Sequence, residues 1–420
     1  MRMRTYEKTH QWLSFKVHLA DAPTTLWMLL GEARSKCEHL AGVALRPATA
    51  ERLHRVYCAK GVLATTAIEG NTLSEEEVAQ RLAGKLQLPK SKEYLGKEID
   101  NVVAAMNLVE NAVLDGTAAT ITPEEIREFN RLILKDLDLD EGVMPGEIRT
   151  HSVGVGTYRG APAEDCEYLL QKLCEWLDSS AFEVKEEIGS VVMGVLKAAL
   201  AHLYLAWIHP FGDGNGRTAR LVEFKILVEA GMPTPAAHLL SNHYNETRTE
   251  YYRQLERASK SGGDVLPFIH YAVQGLVDQM REQIQVVRGE QLQIAWRNYV
   301  YERFKGRTSA ADHRRRELVL ALSTQTNPVP RSQLPTLTPI LSQEYGNKTL
   351  KTLIRDINDL LKEELIRPDG DGYRAAQETI LAFLPLSASK RMREVAAIAL
   401  RNSPNLRDER VSDASVVTPH

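Results

Sequence analysis

Apolar residues recur at three-and-four spacing over most of the chain, and this period marks one amphipathic helix after another. In PATAERLHRVYCAKGVLATTAIEG, Leu53, Val56, Tyr57, Leu63 and Ile68 share a face, and the pattern stops at Gly70. TLSEEEVAQRLAG starts again at Ser74, with Glu77 three residues on, the reciprocal capping-box spacing. SKEYLGKEIDNVVAAMNLVENAVLD and TPEEIREFNRLILKDL continue the period, the second capped by Thr122 with Pro123 at its first position. IGSVVMGVLKAALAHLYLAWI is apolar on all sides, which predicts a central core helix. Its Lys and His residues and its Gly argue against a membrane span, and no run is expected to cross a bilayer.

Two regions break the helical period. In GVMPGEIRTHSVGVGTYRGAPAED, glycines and prolines surround the alternating Val153 and Val155, which predicts a short hairpin. From about residue 307 a helix (RRRELVLALS) leads into the proline-rich TNPVPRSQLPTLTPI. NKTLKTLIRDINDLLKEELIRPDGDGYRA then reads as a helix and two strands joined at an Asp-Gly turn. That order predicts a winged-helix-like module. The last stretch, NSPNLRDERVSDASVVTPH, is poor in large apolar residues and is expected to be a disordered tail. The pattern therefore suggests an N-terminal helical region over 1–105 and a second, mainly helical region over 106–285. A helical linker over 286–306, a winged-helix-like domain over 307–385 and a C-terminal helix and tail over 386–420 complete it.

Composition changes this picture little. A chain of 420 residues with 43% hydrophobic and 25% charged residues fits two or three globular domains. A net charge of −3 gives no support to bulk attraction by nucleic acid or membrane, although a local patch is compatible with it. The four cysteines lack metal-type pairing and are expected to be reduced thiols, which points to the cytoplasm.

The chemistry concentrates after the core helix, in HPFGDGNGRTARLVEFKIL. Gly212, Gly214 and Gly216 alternate with Asp213 and Asn215, and an amphipathic helix follows. A glycine-rich turn at a helix N-terminus offers backbone N–H groups and a favourable dipole to an anion. Arg217 and Arg220, three apart in the first turn, can face one side and suit a polyphosphate. Asp213 is a candidate ligand for Mg²⁺, which binds through one or two carboxylates plus phosphate oxygens. His209 has the chemistry to take a proton from a nucleophile. The stretch is neither a Walker A loop nor a dinucleotide-binding fingerprint.

HPFGDGNGRTAR matches the Fic motif HPFx(D/E)GNGRxxR at every defining position, and the chain resembles the Fic family from HQWLSFKVHL to about residue 285. The resemblance implies an all-α Fic fold with a β-hairpin flap. It also implies transfer of AMP from ATP, with Mg²⁺, to a Ser, Thr or Tyr hydroxyl of a protein, including the chain itself. His209 would be the general base, Asp213 the metal ligand, and Asn215 with the amides from Gly214 to Gly216 the α-phosphate site. Arg217 would meet the β-phosphate and Arg220 the γ-phosphate, while Phe211 would anchor the loop. Val153, Gly154, Val155, Gly156, Thr157 and Tyr158 correspond to the flap that docks a target segment. Asn245, Tyr251 and Tyr252 fall where the family places adenine contacts. Phosphate-transferring Doc relatives carry Lys where this chain has Gly216, so the glycine favours nucleotidyl transfer.

The family's inhibitory pattern, (Ser/Thr)xxxE(Gly/Asn), resembles TTAIEG, with Thr65, Glu69 and Gly70 at its defining positions. A Glu69 carboxylate on Arg220 would fill the place the γ-phosphate needs. The same Glu, in some relatives, aligns a water that removes AMP, so a bifunctional enzyme is one alternative. A winged-helix DNA-binding regulator is another, with Lys348, Lys351 and Arg355 on one side of the candidate recognition helix. Asp356, Asp359, Glu363 and Glu364 follow them and weigh against DNA. The expected partner is a protein substrate. DNA is less favoured, a homodimer is left open, and no membrane is expected.

Overall fold

The computed structural model describes residues 3–156, 158–184 and 189–381. Their helices run α1 (Tyr6–Thr9), α2 (Thr24–Ala41), α3 (Pro47–Ala67), α4 (Glu75–Leu82), α5 (Glu93–Leu114), α6 (Pro123–Ile133), α7 (Ala163–Leu177), α8 (Ser190–Ile208) and α9 (Asn215–Glu229). They continue as α10 (Thr234–Ala237), α11 (Leu239–Glu246), α12 (Arg248–Lys260), α13 (Leu266–Arg303), α14 (Ala310–Ser323), α15 (Pro339–Tyr345) and α16 (Leu350–Lys362). The strands are β1 (Gly154–Val155), β2 (Tyr158–Arg159), β3 (Val329–Pro330), β4 (Ile366–Asp369) and β5 (Gly372–Ala375). The chain is thus mostly helical with little strand, as the apolar period predicts.

Two compact units divide at residues 281 and 282. In the first, α8 and α9 pack against each other, α2 and α7 cover α8, and α5 and α6 cover α9. α8 has 19 residues and a mean hydropathy of 1.8, so by length and composition it could cross a membrane, contrary to the sequence expectation. Within the structure, 89% of its most apolar 18-residue window is instead buried, as the expected core helix would be. Where Gly194 passes Ala230, an added Cβ would overlap the alanine side chain, so the glycine permits the close approach of α8 to the end of α9. Ser74 and Glu77 form the capping box, and Thr122 accepts from the Glu125 N–H at 3.2 Å. All four cysteines are free thiols.

The boundary expected at residue 105 falls inside α5. Of the stretch expected as a linker over 286–306, residues 286–303 belong to α13. Trp296 and Val300 there, and Phe304 just beyond its end, join the core of the second unit. That unit runs helix (α14), strand, two helices (α15, α16), hairpin, with β3 and β4 flanking β5 in an antiparallel sheet. Its core includes Leu318, Leu322, Leu353, Ile357 and Leu360. The expected C-terminal helix and tail over 386–420 lie outside the described residues.

Candidate active site

α8 ends at His209, which adopts a left-handed backbone conformation with φ 50° and turns the chain sharply. The turn is held from outside. Arg149, 5% exposed, donates from Nε to the His209 carbonyl at 2.7 Å, from Nη1 to His151 O at 2.6 Å, and from Nη2 to Ala161 O. Phe211 is buried and forms a bridge with Ile148, consistent with an anchor. Asn130 on α6 is fully buried and donates to the Asp213 carbonyl at 2.9 Å while accepting from the Gly146 N–H. An added Cβ at Gly214, where φ is 74°, would press on Asn130 at 3.0 Å, so this position needs glycine in two respects. Asn215 begins α9 and exchanges hydrogen bonds with the Phe211 backbone, accepting at 2.9 Å and donating at 2.8 Å. Expected on the α-phosphate, the Asn215 side chain is here spent on closing the loop.

His209 has a defined tautomer, because Ala206 O can only accept. Nδ1 therefore donates to it at 3.3 Å, and Nε2 keeps its lone pair. Burial holds the imidazole well below its ordinary pKa, at about 4. The Arg149 charge lowers it further, while Glu69 and Asp213 work the other way. At neutral pH His209 is a neutral acceptor.

Arg220 is 1% exposed and donates from Nη2 to Glu69 Oε1 at 2.6 Å and to Thr65 O at 2.9 Å. Burial pushes the Glu69 carboxyl up, yet the charge and hydrogen bond of Arg220, with the charge of Arg217, bring its net pKa below the ordinary range. Burial opposes the Arg220 charge too, and Glu69 more than restores it. Gly216 makes the approach feasible, since a Cβ there would overlap Glu69 Oε1 and lie 3.1 Å from its Cδ. Gly70 follows with φ 104°, a conformation glycine adopts without strain. Thr65 therefore contributes through its carbonyl.

Four residues that the sequence reading missed complete the arrangement. Arg149 and Asn130 hold the loop, as above. Glu98 on α5 accepts from Arg217 Nη1 at 3.0 Å and from Asn71 Nδ2 at 2.8 Å. Arg217 also pairs with Asp213, so both motif arginines are engaged by carboxylates. Arg248 at the start of α12 donates to the carbonyls of Ala67 and Ile68, clasping the chain just before Glu69.

A cavity of about 540 Å³ opens on this constellation, lined by Glu69, His209, Gly216, Arg220, Tyr158, Tyr251 and Tyr252 among others. Gly156 and Tyr158 of the expected flap reach it; Tyr158 also donates to Trp207 O at 2.8 Å. β1 and β2 pair as Gly154 with Arg159 and Val155 with Tyr158, which gives the expected hairpin. Thr157 lies outside the described residues. Asn245 is absent from the lining, whereas Thr249 and Leu255 belong to it. Arg220 Nε and Nη1 and Arg217 Nε are buried without a hydrogen-bond partner among the described residues. Orphaned guanidinium donors beside a glycine turn are a demand for anionic oxygen. No cluster of three or more metal-ligating side chains occurs among the described residues. The half-exposed Asp213 carboxylate alone suits a cation that takes its other oxygens from phosphate.

Residues 120–227 match the Fic/DOC family. The protein adenylyltransferase fic-1 of Caenorhabditis elegans is 32% identical over 207 residues, 49% of this chain and 37% of that protein. The protein adenylyltransferase Fic of Drosophila willistoni is 32% identical over 234 residues, 56% of this chain and 42% of that protein. The chain thus spans less than half the length of these curated relatives. A solved structure of Fic-1 from C. elegans superposes with a TM-score of 0.52 at 26% identity, covering 63% of this chain and 73% of that one. A Fic family protein from Desulfovibrio desulfuricans shares the fold at 22% identity, with a TM-score of 0.51 over 84% of this chain and 95% of that chain.

Proposed function

We propose that this chain, which carries a Fic/DOC family domain at residues 120–227, transfers AMP from ATP to a hydroxyl side chain of a protein and is held in check by Glu69. One observation carries the reading: a neutral His209 and the partly unpartnered Arg220 open into the same cavity, with Glu69 seated on the arginine. The relatives named as protein adenylyltransferases support the reaction class.

The target hydroxyl gives its proton to His209 Nε2 as its oxygen attacks the α-phosphorus. The new P–O bond forms as the bond to the bridging oxygen breaks, and pyrophosphate leaves with that electron pair. Arg220 and Arg217, released from Glu69 and Glu98, would hold the leaving phosphates. Backbone N–H groups in the first turn of α9, which have no intrahelical acceptor, would face the α-phosphate. Asp213 would hold Mg²⁺, whose charge would stabilise the departing pyrophosphate. The target segment would lie along the β1–β2 hairpin, adding backbone hydrogen bonds there.

Mass spectrometry of the Glu69→Gly protein incubated with ATP tests the reading. An added AMP on the chain, or on a protein substrate, absent in Glu69→Gly/His209→Ala, supports it. An added phosphate overturns it.

A further inference from the structure

We propose that the second unit binds double-stranded DNA through the exposed face of α16. Charge along the helix is arranged by face. Leu353, Asp356, Ile357 and Leu360 point into the unit, while Lys351, Arg355, Asn358 and Lys362 are exposed. The exposed four recur at intervals of four, three and four residues, so they form one stripe roughly 16 Å long. Lys348 is exposed just before the helix, and so is Leu350 at its start.

Three of the four acidic residues that weigh against DNA in the sequence are paired with arginines. Asp356 is buried on Arg314, whose Nε lies 2.7 Å from its carboxylate, and also accepts from Tyr345. Asp359 pairs with Arg315 at 2.9 Å, and Glu363, one residue past the helix, pairs with Arg307 at 2.8 Å. Glu364 leaves the helix altogether, with φ 58°. Lys348, Lys351, Arg355 and Lys362, by contrast, make no ion pair among the described residues. Arg314 and Arg315 of α14, with Arg307 just before it, thus engage three of these acids, of which Asp359 stays 43% exposed beside the stripe, and leave the bases of the outer face without a carboxylate partner among the described residues.

A single exposed helix with one positive stripe fits the DNA major groove, which admits a helix and offers phosphates on both rims. Arg355 and Asn358 are the side-chain types that pair with guanine and adenine edges. Residues 382–420 are no acidic occupant, since they hold six Lys or Arg against four Asp or Glu. The net charge of −3 makes any such binding a property of this patch rather than of the whole molecule.

The test uses the full chain and a fluorescent 30-base-pair duplex of mixed sequence, with anisotropy read at several salt concentrations. Three or four phosphate contacts give a log–log salt slope of about −3, or roughly 60-fold weaker binding at fourfold higher salt. Lys351→Glu/Arg355→Glu should weaken binding at least tenfold and flatten the slope by about 2. Both side chains are exposed, so the melting temperature of the variant serves as its folding control. Lys85→Glu/Lys90→Glu, exposed in the first unit, makes the same charge change and should leave binding within about twofold. Absence of salt-dependent binding overturns the proposal. So does equal loss in both double variants, which would mean bulk charge, or retained binding in the α16 variant. An acidic protein bound through α16 in place of DNA would likewise overturn it.

Discussion

Replacing Glu69 by Gln keeps its size and removes its charge, so it isolates the ion pair from the backbone. Arg220 is almost fully buried, Glu69 is 31% exposed, and their atoms lie 2.6 Å apart. A hydrogen bond between charged partners in such a setting contributes about 1.5–3 kcal/mol. ATP in its reactive pose must displace that contact before its γ-phosphate can reach Arg220. Relief of the same amount raises the population of the reactive complex roughly 10- to 150-fold. Glu69→Gly removes the remaining hydrogen bond as well and should exceed Glu69→Gln.

The assay follows transfer from ATP labelled at the α-phosphate, at a concentration below saturation, in the presence of Mg²⁺. A second readout comes from stability. Loss of the carboxylate leaves a buried guanidinium without its counter-charge, so the nucleotide-free variants should melt at lower temperature. Added ATP should then stabilise them more than it stabilises the parent, because the phosphate takes over the role of Glu69. Transfer unchanged in both Glu69 variants, with ATP stabilising parent and variants alike, would refute the inhibitory role while leaving the reaction itself untouched.

Other contacts give sharper separations. Glu98→Gln or Asn71→Ala should raise transfer by a few-fold only, since each loosens the Arg217 side of the lock; radiolabel transfer measures it. Gly216→Ala should destabilise the parent by about 1–3 kcal/mol through its overlap with Glu69, and far less in Glu69→Gly. Urea denaturation of the four proteins closes the cycle. His209, held at about 4, and His238, at about 3, are both depressed by burial. Their unfolded forms bind protons near pH 6.5 while the folded forms do not. Stability should therefore fall as pH drops from about 6.5 towards 4, by up to about 1.4 kcal/mol per pH unit for each histidine. His238→Gln should flatten that slope in urea titrations between pH 7 and 5; an unchanged slope would rule out His238. Transfer by Glu69→Gln should hold its rate down to lower pH than the parent. The lost carboxylate is one of the charges that raises His209, so a pH–rate profile with its acid limb moved upward would contradict this assignment.

What the sequence made legible was contiguous. His209 to Arg220 are twelve consecutive residues that build a turn and the start of a helix, so their spacing alone implies the geometry. Glu69 could be found only because its pattern is recognisable; no period joins it to Arg220, 151 positions away. Arg149, Asn130, Glu98 and Arg248 carried no comparable mark, because each acts on backbone or side chains from a separate element. A local signal did exist for Asn130, a polar residue among Ile126, Phe129 and Ile133 on the buried side of an amphipathic helix. Such a residue must find partners inside the protein, and the loop supplies them. The same lesson applies to α16 in a different form. Counted along the chain, its acids offset its bases; sorted by helical face, Asp356 belongs with Leu353, Ile357 and Leu360 on the inside. There Arg314 of α14 meets Asp356, while Arg315 takes up the half-exposed Asp359, and the outer face presents Lys351, Arg355 and Lys362. The physically relevant order of charges on a helix is by angle, and a linear count averages away the asymmetry that a partner would meet.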